Sequence, residues 1–256
     1  PPTAICQYIT VQLDATGNVT ITGADIDNGS SDACGIATLT AAPNAFTCAE
    51  VGANNVTLTV TDNNGNVNTC VAVVTVQDVT PPTAVCQDIT VQLDATGNVT
   101  ILAGDVDNGS SDACGIASLV VAPNSFTCAN VGANAVTLTV TDNNGNSANC
   151  NAFVTVQDIT PPTAICQNIT VQLDATGNVT ITGADVDNGS SDACGIASLT
   201  ASPNAFTCAE VGLNNVTLTV TDNAGATASD SVAITATSDA SCTVNCLRVF
   251  SIKMSV

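Results

Sequence analysis

Pro1-Pro2-Thr3, Pro81-Pro82-Thr83 and Pro161-Pro162-Thr163 open three near-identical stretches, so the chain restates itself with a period of 80 residues. Repetition at such a period makes each copy one structural module and the protein an array of modules. The expected boundaries are 1–80, 81–160 and 161–240, followed by a tail at 241–256. The seams Asp78-Val79-Thr80-Pro81-Pro82-Thr83 and Asp158-Ile159-Thr160-Pro161-Pro162-Thr163 are short and proline-stiffened. Proline fixes φ and removes linker freedom, which favours fixed joints over flexible tethers and predicts an extended rod.

Inside a repeat, Ile9 to Leu13, Val19 to Ile21 and Val56 to Val60 alternate apolar residues with Thr or Gln. Period two with β-branched residues specifies half-buried strands. Val67 to Gln77 supplies the last strand and runs directly into the seam. The intervening stretches, such as Asp14-Ala15-Thr16-Gly17-Asn18 and Asp62-Asn63-Asn64-Gly65-Asn66, carry turn chemistry. No helical pattern competes. About seven short strands per copy, separated by such turns, predict an all-β chain of three tandem immunoglobulin-like β-sandwich domains.

Charge excludes whole classes of partner. The 22 acidic residues all precede the two cations, Arg248 and Lys253, which lie in the tail. Nothing in the array can neutralise phosphates, so no nucleic acid is expected. The same argument speaks against anionic membrane surfaces, and no apolar run approaches the ~20 residues of a spanning helix, so no membrane insertion is expected. An uncompensated acidic body repels itself, and bound divalent cations are the expected remedy. With no His and a single Tyr, Tyr8, the chain lacks a nucleophile–base pair, and it is not expected to be an enzyme. Asp25 and Asp27 could be imagined as a glycosidase pair, but their return in every copy suits length or avidity better than catalysis.

Thirteen cysteines and an aromatic content of 2% describe weakly cored modules that need staples. Without a C-x-x-C pair, regularly placed Cys implies disulfides and an oxidising, extracellular or cell-surface setting. Cys6 in the first strand and Cys70 in the last are expected to bridge the ends of the first repeat, with Cys34 bonded to Cys48. Corresponding pairs are Cys86 with Cys150 and Cys114 with Cys128 in the second repeat, and Cys194 with Cys208 in the third. Four cysteines allow three connectivities, and Cys6 with Cys34 or Cys48 stays open. In the third repeat Asp230 stands where Cys70 and Cys150 stand earlier. Cys166 is therefore expected to pair with Cys242, or a tail Cys to pair with another subunit, or one thiol to remain free, and Cys246 sits where Cys6 of a further repeat would fall.

The acidic loops hold the candidate ligands. Asp25, Asp27 and Asp32 fall within eight residues with an amide and hydroxyls, the hard oxygen set that Ca²⁺ prefers. The element returns as Asp105, Asp107 and Asp112, and as Asp185, Asp187 and Asp192. In an immunoglobulin-like sandwich this loop and the one before the last strand, carrying Asp62, Asp142 or Asp222, lie at the end where the chain enters. Asp78 and Asp158 arrive there from the preceding repeat, whose own loops, Asp14 included, approach from the other side. Ca²⁺ shared at the seam is the expectation. Solvated turns use the same residues, which is the competing reading.

Repeats with a Pro-Pro-Thr start, an early Cys, the element Asp32-Ala33-Cys34-Gly35, an Asp-Asn-x-Gly-Asn turn and a terminal Val-x-Asp resemble hyalin (HYR) repeats. The flavour is similar to that of large secreted surface proteins of gliding, Bacteroidota-type bacteria. The resemblance covers residues 1 to about 240 and departs at Cys48, Asp230 and a missing second-strand Cys. It implies an immunoglobulin-like fold and an extracellular, often adhesive role without chemistry. Sequons at Asn18, Asn28, Asn55, Asn98, Asn108, Asn168, Asn178, Asn188 and Asn215 offer glycosylation sites.

Two functions are expected from these observations. The first is a structural array building a secreted fibre, stalk or coat, by self-association or attachment to a larger surface protein. The second is an adhesin whose modules bind glycans or other cells. The tail alternates Phe250, Ile252, Met254 and Val256, as would either the opening strand of a further domain or a strand that pairs with a neighbouring subunit.

Overall fold

The structure is a computed structural model and describes residues 1–238. Cys242, Cys246 and the alternating tail lie outside the described residues. Each repeat has six strands, one short of the expected seven. In the first they are β1 (Ile9–Gln12), β2 (Asn18–Thr20), β3 (Ile36–Ala42), β4 (Ala45–Thr47), β5 (Gly52–Asp62) and β6 (Val67–Gln77). The second repeats them as β7 (Ile89–Gln92), β8 (Asn98–Thr100), β9 (Ile116–Ala122), β10 (Ser125–Thr127), β11 (Gly132–Asp142) and β12 (Ser147–Gln157). The third has β13 (Thr170–Gln172), β14 (Asn178–Thr180), β15 (Ile196–Ser202), β16 (Ala205–Thr207), β17 (Gly212–Asp222) and β18 (Thr227–Thr237).

The alternation in sequence becomes alternation in burial. Along β5, Val56, Leu58 and Val60 are buried while the Thr between them are half-exposed. In the first repeat a four-stranded sheet of order β1-β6-β5-β3 faces the pair β2-β4, and both later repeats keep this order. The first strand joins the last in parallel, Ile9 opposite Val74 and Gln12 opposite Gln77, while β5 and β6 form a long antiparallel hairpin. This is an all-β, immunoglobulin-like sandwich, repeated three times.

Two features differ from the expected pattern. Single helical turns occur at Gly23–Ile26 and, as a 3₁₀ turn, at Cys48–Glu50. Both are set by capping boxes, Thr22 with Asp25 and Thr47 with Glu50, a local signal at a scale too short for a periodicity reading. Cys6 lies outside β1, in an isolated bridge to Asp27.

By backbone contact the chain divides into two compact units. One comprises Pro1–Ile89, Leu102–Asn124 and Ala135–Phe153; the other comprises, among the described residues, Thr90–Ile101, Ser125–Asn134 and 154–238. The core of the first unit is built on Phe46, Ile26, Val56, Leu58, Val60 and Val74, and that of the second on Phe206, Val186, Val216, Leu218, Val220 and Ile234. Burying each such side chain contributes roughly 1.5–3 kcal/mol, so cores this small leave room for covalent staples to matter.

Candidate functional site

The cysteines are arranged in two kinds of bond. Cys6 pairs with Cys70 and Cys86 with Cys150, with Cα atoms 6.0 and 5.8 Å apart, and each bond closes a single repeat. The other two cross seams: Cys48 pairs with Cys114 and Cys128 with Cys194, both with Cα atoms 5.1 Å apart. The expected bonds Cys34 to Cys48, Cys114 to Cys128 and Cys194 to Cys208 do not form. The reason is geometric. Strand β3 carries the chain roughly 20 Å away from Cys34 before the three residues of β4 deliver Cys48, whereas a disulfide needs Cα atoms within about 7 Å. Cys34 and Cys166 carry free thiols, and Cys208 is disulfide-bonded.

Gly17 explains how the seam closes so tightly. It sits in the Asp14–Asn18 turn with φ of +75°, and a Cβ there would lie 2.7 Å from Cys48 Sγ and 3.3 Å from Cβ of Ala113. Gly97 does the same at the next seam, where a Cβ would meet Cys128 Sγ at 2.6 Å and Cβ of Ala193 at 3.4 Å. The turn of one repeat therefore packs directly on the Ala-Cys pair of the following one, and only glycine fits there.

Beside each seam disulfide stands a pair of carboxylates. Single ligand atoms of Asp78, Asp112 and Cys114 lie within 4.8 Å of one another, as do those of Asp158, Asp192 and Cys194. The sulfur atoms are already bonded, which leaves the carboxylates as the available donors. Asp78 is 8% exposed and Asp158 9%. In each, Oδ1 accepts the backbone N–H two residues on, from Thr80 at 3.0 Å and Thr160 at 3.1 Å, while the buried Oδ2 has no hydrogen-bond partner. Their neighbours Asp112 and Asp192 accept from the N–H of Cys114 and Cys194, each at 2.7 Å. No Lys or Arg exists among the described residues, so each pair is two like charges without a counter-ion. At the second seam a cavity of about 120 Å³ opens beside Asp158, lined by Cys128, Val131, Cys194, Asn223 and Ala224, ample for an ion with water.

The other acidic candidates are engaged in their own loops. Oδ2 of Asp25 accepts from the backbone N–H and hydroxyl of Thr22 at 2.6 and 2.7 Å, and Asp185 repeats this with Thr182. Asp105 accepts from the N–H of Leu102 at 2.7 Å. Asp27, Asp107 and Asp187 close turns by accepting from the Gly and Ser that follow. Asp62 and Asp142 organise the β-hairpin turns, taking the amide groups of Asn66 and Asn146 on Oδ2 at 2.7 and 2.8 Å. Asp222 takes the N–H groups of Ala224 and Ala226 on Oδ1 and leaves a buried Oδ2 unpartnered. Asp32 accepts from Cys34 N–H at 2.8 Å. None of these is grouped with either seam pair, and apart from Asp222 Oδ2 their loops supply N–H, hydroxyl or amide donors locally.

These bonds lower acidities. The backbone N–H of Thr22, with its hydroxyl, holds Asp25 below the usual carboxylate range. The side chain of Thr16 does so for Asp14, and that of Thr47 for Glu50. All nine sequon asparagines are exposed, although the amides of Asn18, Asn98 and Asn178 are bonded to Thr16, Thr96 and Thr176.

Comparison with known proteins adds family context. Residues 77–156 match the HYR domain, a span that begins just before Asp78 and contains Asp112 and Cys114. The chain is 36% identical over 215 residues to Hyalin of Strongylocentrotus purpuratus, an alignment covering 76% of this chain and 17% of that protein. Among solved structures, titin I-band fragment I67–I69 gives a TM-score of 0.38 at 12% identity, covering 94% of this chain and 99% of the fragment. Sidekick-1 immunoglobulin domains 1–5 give 0.39 at 8% identity, covering 93% and 59%. No helix among the described residues is long and apolar enough to cross a membrane.

Proposed function

We propose that this chain is an array of HYR-type repeats with a non-enzymatic, extracellular structural role, each repeat locked to the next by a disulfide and a divalent cation. The observation that supports it most is the seam itself, where Cys48–Cys114 or Cys128–Cys194 stands beside a buried carboxylate with an orphaned oxygen. Modules at 1–80, 81–160 and 161–240 would then serve as links of a secreted fibre, stalk or surface coat, assembled by self-association or by attachment to a larger surface protein.

Ca²⁺ is the proposed cation. Asp78 with Asp112, and Asp158 with Asp192, would hold it, completed by backbone carbonyl groups and water. Carboxylate oxygens without sulfur or imidazole suit a hard ion, and so few protein ligands suit the weak extracellular range, on the order of 10⁻⁴ to 10⁻³ M. Saturation at a hundredfold excess over such a Kd would stabilise the folded seam by about 2.7 kcal/mol.

The test is thermal unfolding of the oxidised chain with Ca²⁺ and with chelator. Ca²⁺ is expected to raise the Tm, and the double variant Asp78→Asn with Asp158→Asn is expected to abolish the response. In chelator that variant should melt no lower than the parent, since it removes two unbalanced buried charges. A parent chain whose melting ignores Ca²⁺ would overturn the cation while leaving the disulfide-linked array in place. The adhesin reading predicts signal on a glycan array. Intact mass decides glycosylation, since any excess over the bare chain less its disulfide hydrogens reports it.

A further inference from the structure

We infer that the surface around Cys34 is a docking face for the trailing end of a further HYR-type repeat in the same polypeptide, closed by an inter-repeat disulfide at Cys34. The equivalent residues do this twice within the same chain. Cys114 bonds to Cys48 and Cys194 to Cys128, each time joining an Asp-Ala-Cys-Gly turn to the 3₁₀ turn of a different repeat.

The face is already built at Cys34. Its N–H donates to Asp32 Oδ1 at 2.8 Å, as those of Cys114 and Cys194 do to Asp112 and Asp192 at 2.7 Å. Its carbonyl oxygen accepts from Asn63 Nδ2 at 2.6 Å, against 2.8 Å for Asn143 on Cys114 and 2.7 Å for Asn223 on Cys194. The bridge Thr3 to Ser31 that anchors the loop matches Thr83 to Ser111 and Thr163 to Ser191. What differs is the covering: Cys34 is exposed and free, whereas Cys114 and Cys194 are half-buried and bonded. The backbone under the thiol therefore does not depend on the partner being present, which makes the face preformed.

The partner must present the matching chemistry: a Gly-containing turn bare enough to lie against Ala33, and a Thr-Cys-Ala 3₁₀ turn whose thiol is available. Its last residue before the seam, an Asp equivalent to Asp78, would come to rest beside Asp32. The bond forms by exchange. The Cys34 thiolate attacks the partner cysteine held as a mixed disulfide with glutathione; the new S–S bond forms, the old one breaks, and glutathione leaves as thiolate and takes up a proton. The inference stands whether or not a cation occupies the seams.

The experiment uses the whole chain with one repeat added ahead of Pro1, a copy of residues 1–80 in one version and of residues 81–160 in another, oxidised in glutathione buffer. In the unextended chain Cys34 is expected to be alkylated completely by iodoacetamide under native conditions. In the extended arrays it should be protected, and mapping without reduction should yield a peptide joining Cys34 to the added copy of Cys48 or Cys128. Complete alkylation of Cys34 in both arrays overturns the inference, as does a Cys34 bond to any other cysteine.

Discussion

The first and third repeats are the same fold held together differently. In the first, Cys6 is bonded to Cys70 and the amide of Asn66 completes the Asp62 turn. In the third, Asp230 occupies the position of Cys70 and accepts from the N–H of Cys166 at 2.9 Å, while Ala226 replaces Asn66 and leaves Asp222 Oδ2 unpartnered. The core, by contrast, is conserved by exchange. Ala72, Val74 and Val76 become Val232, Ile234 and Ala236, all still buried. Backbone topology survives intact, apart from β13 pairing over three residues where β1 pairs over four. The apolar alternation and the turns specify the sandwich, and the staples set how firmly it is held.

The sharpest way to break this comparison is to restore the lost staple. Asp230→Cys brings a thiol to Cys166 across the separation of 64 residues that Cys6–Cys70 spans. Closing a loop of that length in the unfolded chain is worth about 4 kcal/mol. Hydrogen exchange of β17 and β18 should slow to match β5 and β6, and unreduced peptide mapping should show the new bond. If the bond forms and exchange is unchanged, the staple is not what separates the two repeats.

The sequence discloses the strands and turns because each is a local matter. Val56 to Val60 can alternate only as a strand with one buried face, and Asp62 to Asn66 can close only as a turn. It also pointed to Asp78 and Asp158 at the seams, and to Asp112 and Asp192 across from them. It did not separate these from Asp105 and Asp107, since an Asp that caps a helical turn and an Asp aimed at a neighbouring module are the same letter. Only the position of the accepting oxygen relative to nearby N–H groups distinguishes them. The seam disulfides escaped for a related reason. Cys34 precedes β3 and Cys48 follows the short β4, a fact that argues against their pairing, but their spacing in sequence resembles a closed loop. The signal available was the length of β3 itself, which is incompatible with a bond across it.

A smaller effect is expected from repairing the third hairpin turn. Ala226→Asn supplies the amide that Asn66 and Asn146 give to Asp62 and Asp142. Satisfying a buried carboxylate oxygen with one hydrogen bond contributes about 2 kcal/mol. The Asp222 turn should then exchange its amide protons more slowly, with the rest of the repeat little changed. The comparison sharpens if this variant and Asp230→Cys act additively, because the turn and the staple sit on different parts of the hairpin and share no partner.

The smallest expected difference is in alkali. Burial, reinforced by the Asp230 carboxylate, pushes the Cys166 thiol up from its ordinary value. A raised folded pKa means that this contribution is complete below the unfolded thiol value of about 8.5 and is lost as pH rises through the folded value. The first repeat has no thiol at this place, since Cys6 is bonded. In acid the two repeats should behave alike. The amide of Asn66 holds Asp62 low, and the N–H groups of Cys166 and Ser231 hold Asp230 low. Depressed folded values give stability that is present above about pH 4 and fades as pH falls through them. Pulse proteolysis with mapped cut sites, in a Cys34→Ser background that removes the exposed thiol, should show cleavage confined to the third repeat as pH rises past 9. Cys166→Ser should remove that sensitivity and leave the acid limb in place. Equal alkaline cleavage in the first repeat would show that the free thiol is not the weak point of the third.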